Sequence, residues 1–124
     1  MKSIQPRKQR LKLYSTPLHR RKTLISAHLS PELRGKYETR SFPLRKGDLV
    51  KVIKGEQKGK EGKISEVEFS KVRIEGVTRS KTDGTKVSVP VHTSNLIVLE
   101  LELSDPKRKK ALERKIKTKK EAKK

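Results

Sequence analysis

Apolar and polar residues alternate one for one through the middle of the chain, in five short runs. Asp48-Leu49-Val50-Lys51-Val52-Ile53 is the first, entered by Lys46-Gly47. Residues 63–69 form the second, with Val67 and Phe69 on one face. Lys71-Val72-Arg73-Ile74-Glu75 is the third. In the fourth, Val87, Val89 and Val91 alternate with Ser88 and Pro90. The fifth opens with Leu96-Ile97-Val98-Leu99 and continues with Glu100 and Glu102 between Leu101 and Leu103. A period of two is what a half-buried strand requires, because successive side chains point to opposite faces. Five short strands with glycine-bearing turns predict a mainly-β fold, a small barrel that removes exposed edges by closing on itself. Pro90 lacks the N–H a ladder needs, so its strand is expected at an edge or interrupted there.

Two connections are marked. Asp83-Gly84 suits a type I′ hairpin turn, whose two central residues both take positive φ. Residues 54–63, Lys-Gly-Glu-Gln-Lys-Gly-Lys-Glu-Gly-Lys, read as a polar loop joining the first two strands.

The flanks lose the alternation. Ser30-Pro31-Glu32 reads as a helix start, with a capping side chain, a proline at the first helical position and an acid in the first turn. Leu33 and Tyr37 then share a helical face. Ser104-Asp105-Pro106 starts a second helix, in which Leu112 and Ile116 stand four apart. The charge run of residues 117–124 is expected to fray or be disordered. The chain thus divides into a basic N-terminal extension with short helices (1–42), a barrel (43–103) and a basic C-terminal helix and tail (104–124).

Charge gives this frame its meaning. The 124 residues carry 34 Lys and Arg against 14 Asp and Glu, a net charge of +20. That exceeds the roughly 2–8 charges a small domain needs for solubility, and such an excess opposes compaction. A polyanion partner that neutralises it is the simplest account. The ends hold most of the excess: residues 1–42 contain 11 basic and 2 acidic residues, and residues 100–124 contain 11 and 5. Hydrophobic residues make up only 30% of the chain and aromatics number four, Tyr14, Tyr37, Phe42 and Phe69. A small core with arms that order on binding fits that composition better than a core spread over the whole length. The chain has no Cys, which excludes disulfides and thiolate metal sites. No apolar run approaches the roughly 20 residues of a membrane span, and no secretory signal is recognisable. An intracellular protein without a membrane partner is expected.

Enzymatic chemistry finds little support. The glycine loop fails the P-loop spacing: three residues, not four, separate Gly55 from Gly59, and Glu61 follows Lys60. His19, His28 and His92 match no metal-ligand spacing. Glu66 and Glu68 share a strand face beside Lys63 and Lys71, as solvated charges do. Nothing assembles a nucleophile, a base and an orienting group, and no cofactor is implied. RNA contact is the chemistry the basic residues fit. Arg7, Lys8, Arg10 and Lys12, then His19, Arg20, Arg21 and Lys22, line the N-terminal arm. Arginine suits RNA because its planar fork grips phosphate through two hydrogen bonds and stacks on exposed bases. Leu11, Leu13, Tyr14 and Leu18 interleave with them. Arg79 and Lys81, beside the Asp83-Gly84 turn, are further candidates.

Residues 44–55, Leu-Arg-Lys-Gly-Asp-Leu-Val-Lys-Val-Ile-Lys-Gly, followed by Lys58-Gly59-Lys60-Glu61-Gly62-Lys63-Ile64, resemble a KOW motif. That resemblance implies an SH3-like barrel in contact with RNA or the transcription machinery. Pro17-Leu18-His19-Arg20-Arg21-Lys22, Leu29-Ser30-Pro31-Glu32-Leu33-Arg34 and Val91-His92-Thr93-Ser94-Asn95-Leu96 add to it. Together they resemble the large-ribosomal-subunit family numbered twenty-four, in its archaeal form, close to the eukaryotic protein numbered twenty-six. The likeness covers about residues 5–115. It implies direct binding to large-subunit ribosomal RNA near its 5′ end, an early role in assembly and a place near the nascent-chain exit. It also implies RNA contact by Lys54, Gly55, Lys58, Gly59, Lys60, Gly62 and Lys63, and by Ser94 and Asn95. Neighbouring large-subunit proteins are implied partners, and a homo-oligomer is not expected. A NusG-like transcription factor is the competing reading, disfavoured because no α/β domain precedes the barrel and both flanks are basic. A small nuclease is the third, without metal ligands to support it.

Overall fold

In the computed structural model, which describes residues 3–122, two short helices lead into a seven-stranded sheet. Helices α1 (Pro6–Tyr14) and α2 (Leu18–Arg21) come first. Strand β1 (Ser26–Leu29), helix α3 (Pro31–Tyr37) and strand β2 (Ser41–Pro43) follow. The remaining strands are β3 (Leu49–Val52), β4 (Glu61–Val67), β5 (Lys71–Ser80), β6 (Lys86–His92) and β7 (Leu96–Glu100). A 3-10 turn, Thr93–Asn95, sits before β7, and helix α4 (Pro106–Ala122) ends the described chain.

The sheet order is β2-β1-β7-β3-β4-β5-β6. All pairs are antiparallel except β1 with β7. Register shifts between Ile64 and Glu66, and between Arg73 and Thr78, bend the long strands into a barrel-like form. The alternation predicted the inner face of most strands: Val50, Val52, Val72, Ile74, Val91, Leu96 and Val98 are all buried in one core with Leu29, Phe42, Leu44 and Val77. The second run differs: Ile64 is its buried residue, while Val67 and Phe69, expected to share a face, are only half-buried beyond the register shift after Ile64.

The differences are local and have physical reasons. The two extra strands, β1 and β2, come from the segment read as an arm, and β1 wedges between β2 and β7. They are four and three residues long, too short for periodicity to announce. Strand β4 begins at Glu61, two residues early, because Glu61 pairs with Lys51 in the ladder and through a 2.7 Å ion pair. It stops at Val67, leaving half-buried Phe69 in the following turn. Strand β5 runs on past Glu75, since Gly76 at φ 80° supplies a bulge from which it resumes.

The Asp83-Gly84 turn is not type I′. Only Gly84 has positive φ; its N–H donates to the Lys81 carbonyl, and the Lys81 N–H donates to Thr85. That is a wider loop ending in a left-handed glycine, the second commonest hairpin solution. Pro90 lies on β6, at one end of the strand order, as a residue without an N–H should. The last strand ends at Glu100, yet Leu101 and Leu103 still pack against the core.

Both predicted helix starts hold. The Ser30 hydroxyl accepts from the Leu33 amide at 3.3 Å, and Leu33 and Tyr37 are half-buried on one side of α3. The Asp105 carboxylate accepts from the Lys107 amide at 2.8 Å. Leu112 is buried and Ile116 half-buried. The backbone stays helical through Ala122 rather than fraying from 117, in keeping with the helix propensity of Lys, Glu and Ala. The expectation for residues 123 and 124 lies outside the described residues.

Candidate nucleic-acid interface

The loop between β3 and β4 is a built structure rather than a slack connection. Gly55 and Gly59 sit at φ 101° and 89°, where other residues are strained. The amides of Lys58, Gly59 and Lys60 donate to the carbonyls of Gly55, Val52 and Gln57. Those three N–H groups are therefore spent inside the loop and are not offered to a phosphate. Its cationic reach is carried by side chains: Lys54, Lys58, Lys60 and Lys63 are all exposed. Gly62 has a different task. A Cβ there would lie 2.4 Å from the Glu75 carbonyl oxygen and 2.9 Å from Ile74, so β4 and β5 meet closely only because it is glycine. It serves the barrel first.

The fold brings the loop to Ser94 and Asn95, about forty residues away in sequence. The Ile53 amide donates to the Asn95 carbonyl at 2.8 Å. His92 caps the 3-10 turn: its Nδ1 accepts from the Ser94 amide at 3.2 Å and lies 2.7 Å from the Ser94 hydroxyl. With Nδ1 engaged by Ser94, Nε2 is the ring nitrogen left for another partner. Lys71 stands opposite His92 in the β5–β6 ladder.

The other candidates lie apart from this cluster. Arg79 and Lys81 flank the far end of the β5–β6 hairpin, with every residue from 78 to 87 exposed. Arg7, Lys8, Arg10 and Lys12 lie on α1, and His19 and Arg20 on α2, all exposed, as is Lys22 just beyond. No residue of either helix is buried, and the described hydrogen bonds of residues 3–16 stay within the arm. Arg21 differs. Its guanidinium lies 4.9 Å from the Phe69 ring centroid while Nε donates to the Thr16 carbonyl, so it fastens the arm to the barrel. Glu66 and Glu68 both pair with Arg73, at 2.8 and 2.7 Å, a solvated charge cluster at the end of β4, with Glu68 just beyond the strand rather than on its face.

Sequence reading missed the polar centre of the molecule. Asp48, fully buried, accepts two hydrogen bonds from the Arg108 guanidinium, at 2.7 and 2.6 Å, and one each from the amides of Arg45 and Glu102. Arg108 also donates to the carbonyls of Glu102 and Pro43 and faces the Phe42 ring. Asp48 opens the first alternating run, and Arg108 is one of many cations in the C-terminal helix. Nothing in either local pattern distinguishes them.

A basic, barrel-like β protein with a lysine-bearing loop, a cationic arm and a docked cationic helix is thus the class that fold and surface define. Within that class, the family model described as ribosomal proteins L26 eukaryotic, L24P archaeal matches residues 3–115. The large ribosomal subunit protein uL24 of Methanosphaera stadtmanae is 45% identical over 116 residues, covering 92% of this chain and 99% of the relative. That of Korarchaeum cryptofilum is 47% identical over 117 residues, covering 93% and 89%. The chain belongs to this ribosomal protein family, and with it to structural rather than catalytic proteins.

Proposed function

We propose that the protein is a structural constituent of the large ribosomal subunit, in the cytoplasm, that binds large-subunit ribosomal RNA directly. Family membership over nearly the whole chain carries this reading. A charge of +20 favours an anionic partner, and the loop that carries Lys54, Lys58 and Lys60, tied to the Ser94-Asn95 turn through the Ile53 amide, supplies a surface for one. Its lysines neutralise phosphates and release counterions, while the barrel sets the register of the contact. Arg7, Lys8, Arg10, Lys12, Arg20 and Lys22 extend the contact along the arm; Arg79 and Lys81 add to it from the hairpin. Binding near the 5′ end of that RNA, early in assembly and close to the nascent-chain exit, is the rest of the proposal, together with a monomeric state and neighbouring ribosomal proteins as partners. Sedimentation of a cell lysate in high-salt, magnesium-containing sucrose gradients tests it. Co-migration with the large subunit is expected. Release into the soluble fractions, or migration with RNA polymerase, would overturn it.

A further inference from the structure

A cleft of about 340 Å³ opens between the β3–β4 loop and β6, the last strand in the sheet order. Val52, Val89, Pro90 and Val91 give it apolar walls. Lys54, Lys71, His92 and Asn95 stand on its polar side, with Glu56 as the one acid among the lining residues. Its volume lies at the small end of the range for small-molecule sites, and apolar walls with a few placed polar groups are what such sites show.

Gln57 also lines this cleft, and its side-chain oxygen is buried without a hydrogen-bond donor. A buried acceptor left unpaired is costly, so native structures keep few of them. Beside it stands His92, whose Nδ1 is committed to Ser94, leaving Nε2 for another partner on an exposed side chain. The cleft therefore combines an acceptor that lacks a donor, an imidazole nitrogen, an amide at Asn95 and two lysines.

From this arrangement we infer that the cleft holds one unstacked nucleotide of single-stranded or bulged RNA, its base against Val89 and Pro90. The base edge pairs with His92 or Asn95 and draws the Gln57 side chain outward from its sealed position to accept from it, and the flanking phosphates meet Lys54 and Lys71. A duplex cannot fill it, because Watson–Crick pairing occupies the base edge and stacking covers the base faces. This rests on the RNA-binding reading and goes further, from phosphate contact to recognition of an unpaired base.

The full chain, labelled with 15N, is titrated with a uridine trinucleotide, an adenosine trinucleotide and a short blunt-ended RNA duplex. At least one trinucleotide is expected to shift the amides of Gln57, Val89, Val91, His92 and Asn95 to saturation, whereas the duplex shifts the loop and arm amides and leaves the cleft amides in place. Gln57→Leu is expected to weaken that trinucleotide about tenfold without altering duplex affinity, and to leave the melting temperature unchanged or higher because an unpaired buried acceptor is gone. Duplex binding with a cleft silent to both trinucleotides, equal saturation of the cleft by the duplex, or a Gln57→Leu protein with unchanged trinucleotide affinity would each overturn the nucleotide site alone. If no RNA shifts any amide, the RNA-binding reading falls with it.

Discussion

Gly59 and Gly62 stand three residues apart and answer to different forces. Gly59 holds a positive φ with open space around it, so Gly59→Ala is expected to cost only the strain of a left-handed residue, about 1–2 kcal/mol. Gly62→Ala must push a Cβ into the Glu75 backbone, which has no rotamer through which to yield. The cost is expected to be higher, about 3 kcal/mol, and urea unfolding of the two variants would rank them. Equal losses would show that the sheet opens at Gly62 without strain. The lysines of the same loop act on binding instead. Lys58→Ala and Lys60→Ala are each expected to lower the slope of log affinity against log salt by about 0.7–0.9 per lost phosphate contact, with little change in stability. An unchanged slope in titrations with large-subunit RNA would show that the side chain does not touch phosphate.

At the scale of elements, α4 is held by one residue more than by its whole charged surface. Arg108 joins the helix to Asp48 at the mouth of β3 and to the carbonyls of Pro43 and Glu102. Removing one partner of a buried pair leaves the other charge uncompensated, so Arg108→Ala is expected to destabilise the fold by about 3–5 kcal/mol. Arg108→Lys should recover little, because an ammonium cannot reproduce the two-pronged contact. Denaturant midpoints of both variants would decide. The exposed end of the same helix titrates. The Arg45 hydrogen bond, then the Lys107 amide, hold the Asp105 carboxyl below its ordinary value of 3.8. A lowered value means stabilisation that is full above that ordinary value and fades as pH falls through the lower folded one. The melting-temperature gap between the native protein and Asp105→Ala is therefore expected to be widest at neutral pH and to narrow below 3.8. A gap independent of pH would assign the effect to helix propensity.

For the whole molecule, the two basic flanks part ways. Helix α4 is anchored by Arg108 and Leu112, while α1 and α2 bury nothing and meet the barrel at Arg21. An isolated helix as short as α1 is marginal in water. NMR order parameters of the free protein are expected near 0.85 for β1–β7 and for α4 around residues 106–116, and below about 0.6 for residues 3–16. The arm would then gain its order on RNA, whereas α4 brings its order with it. A rigid arm in the free protein would refute that division.

Local chemistry, read from sequence, determined much of this. Alternation at Val50, Val52, Val72, Ile74, Leu96 and Val98 set the strands and their buried face, because side-chain direction in a strand depends only on position parity. Ser30 and Asp105 marked helix starts because a cap acts within one turn. The charge excess pointed to a polyanion because like charges at that density need neutralising. Tertiary structure alone decided the rest. Strands β1 and β2 are too short to carry a pattern and exist because β7 offers β1 a partner and β1 in turn pairs with β2. Asp48 and Arg108 are 60 residues apart, and only folding shows that they are neither solvent-exposed nor separate. The cleft, too, is made of loop, strand and turn from three places in the chain. A site of that kind is a matter of distances, and distances between remote residues are fixed by how the sheet bends.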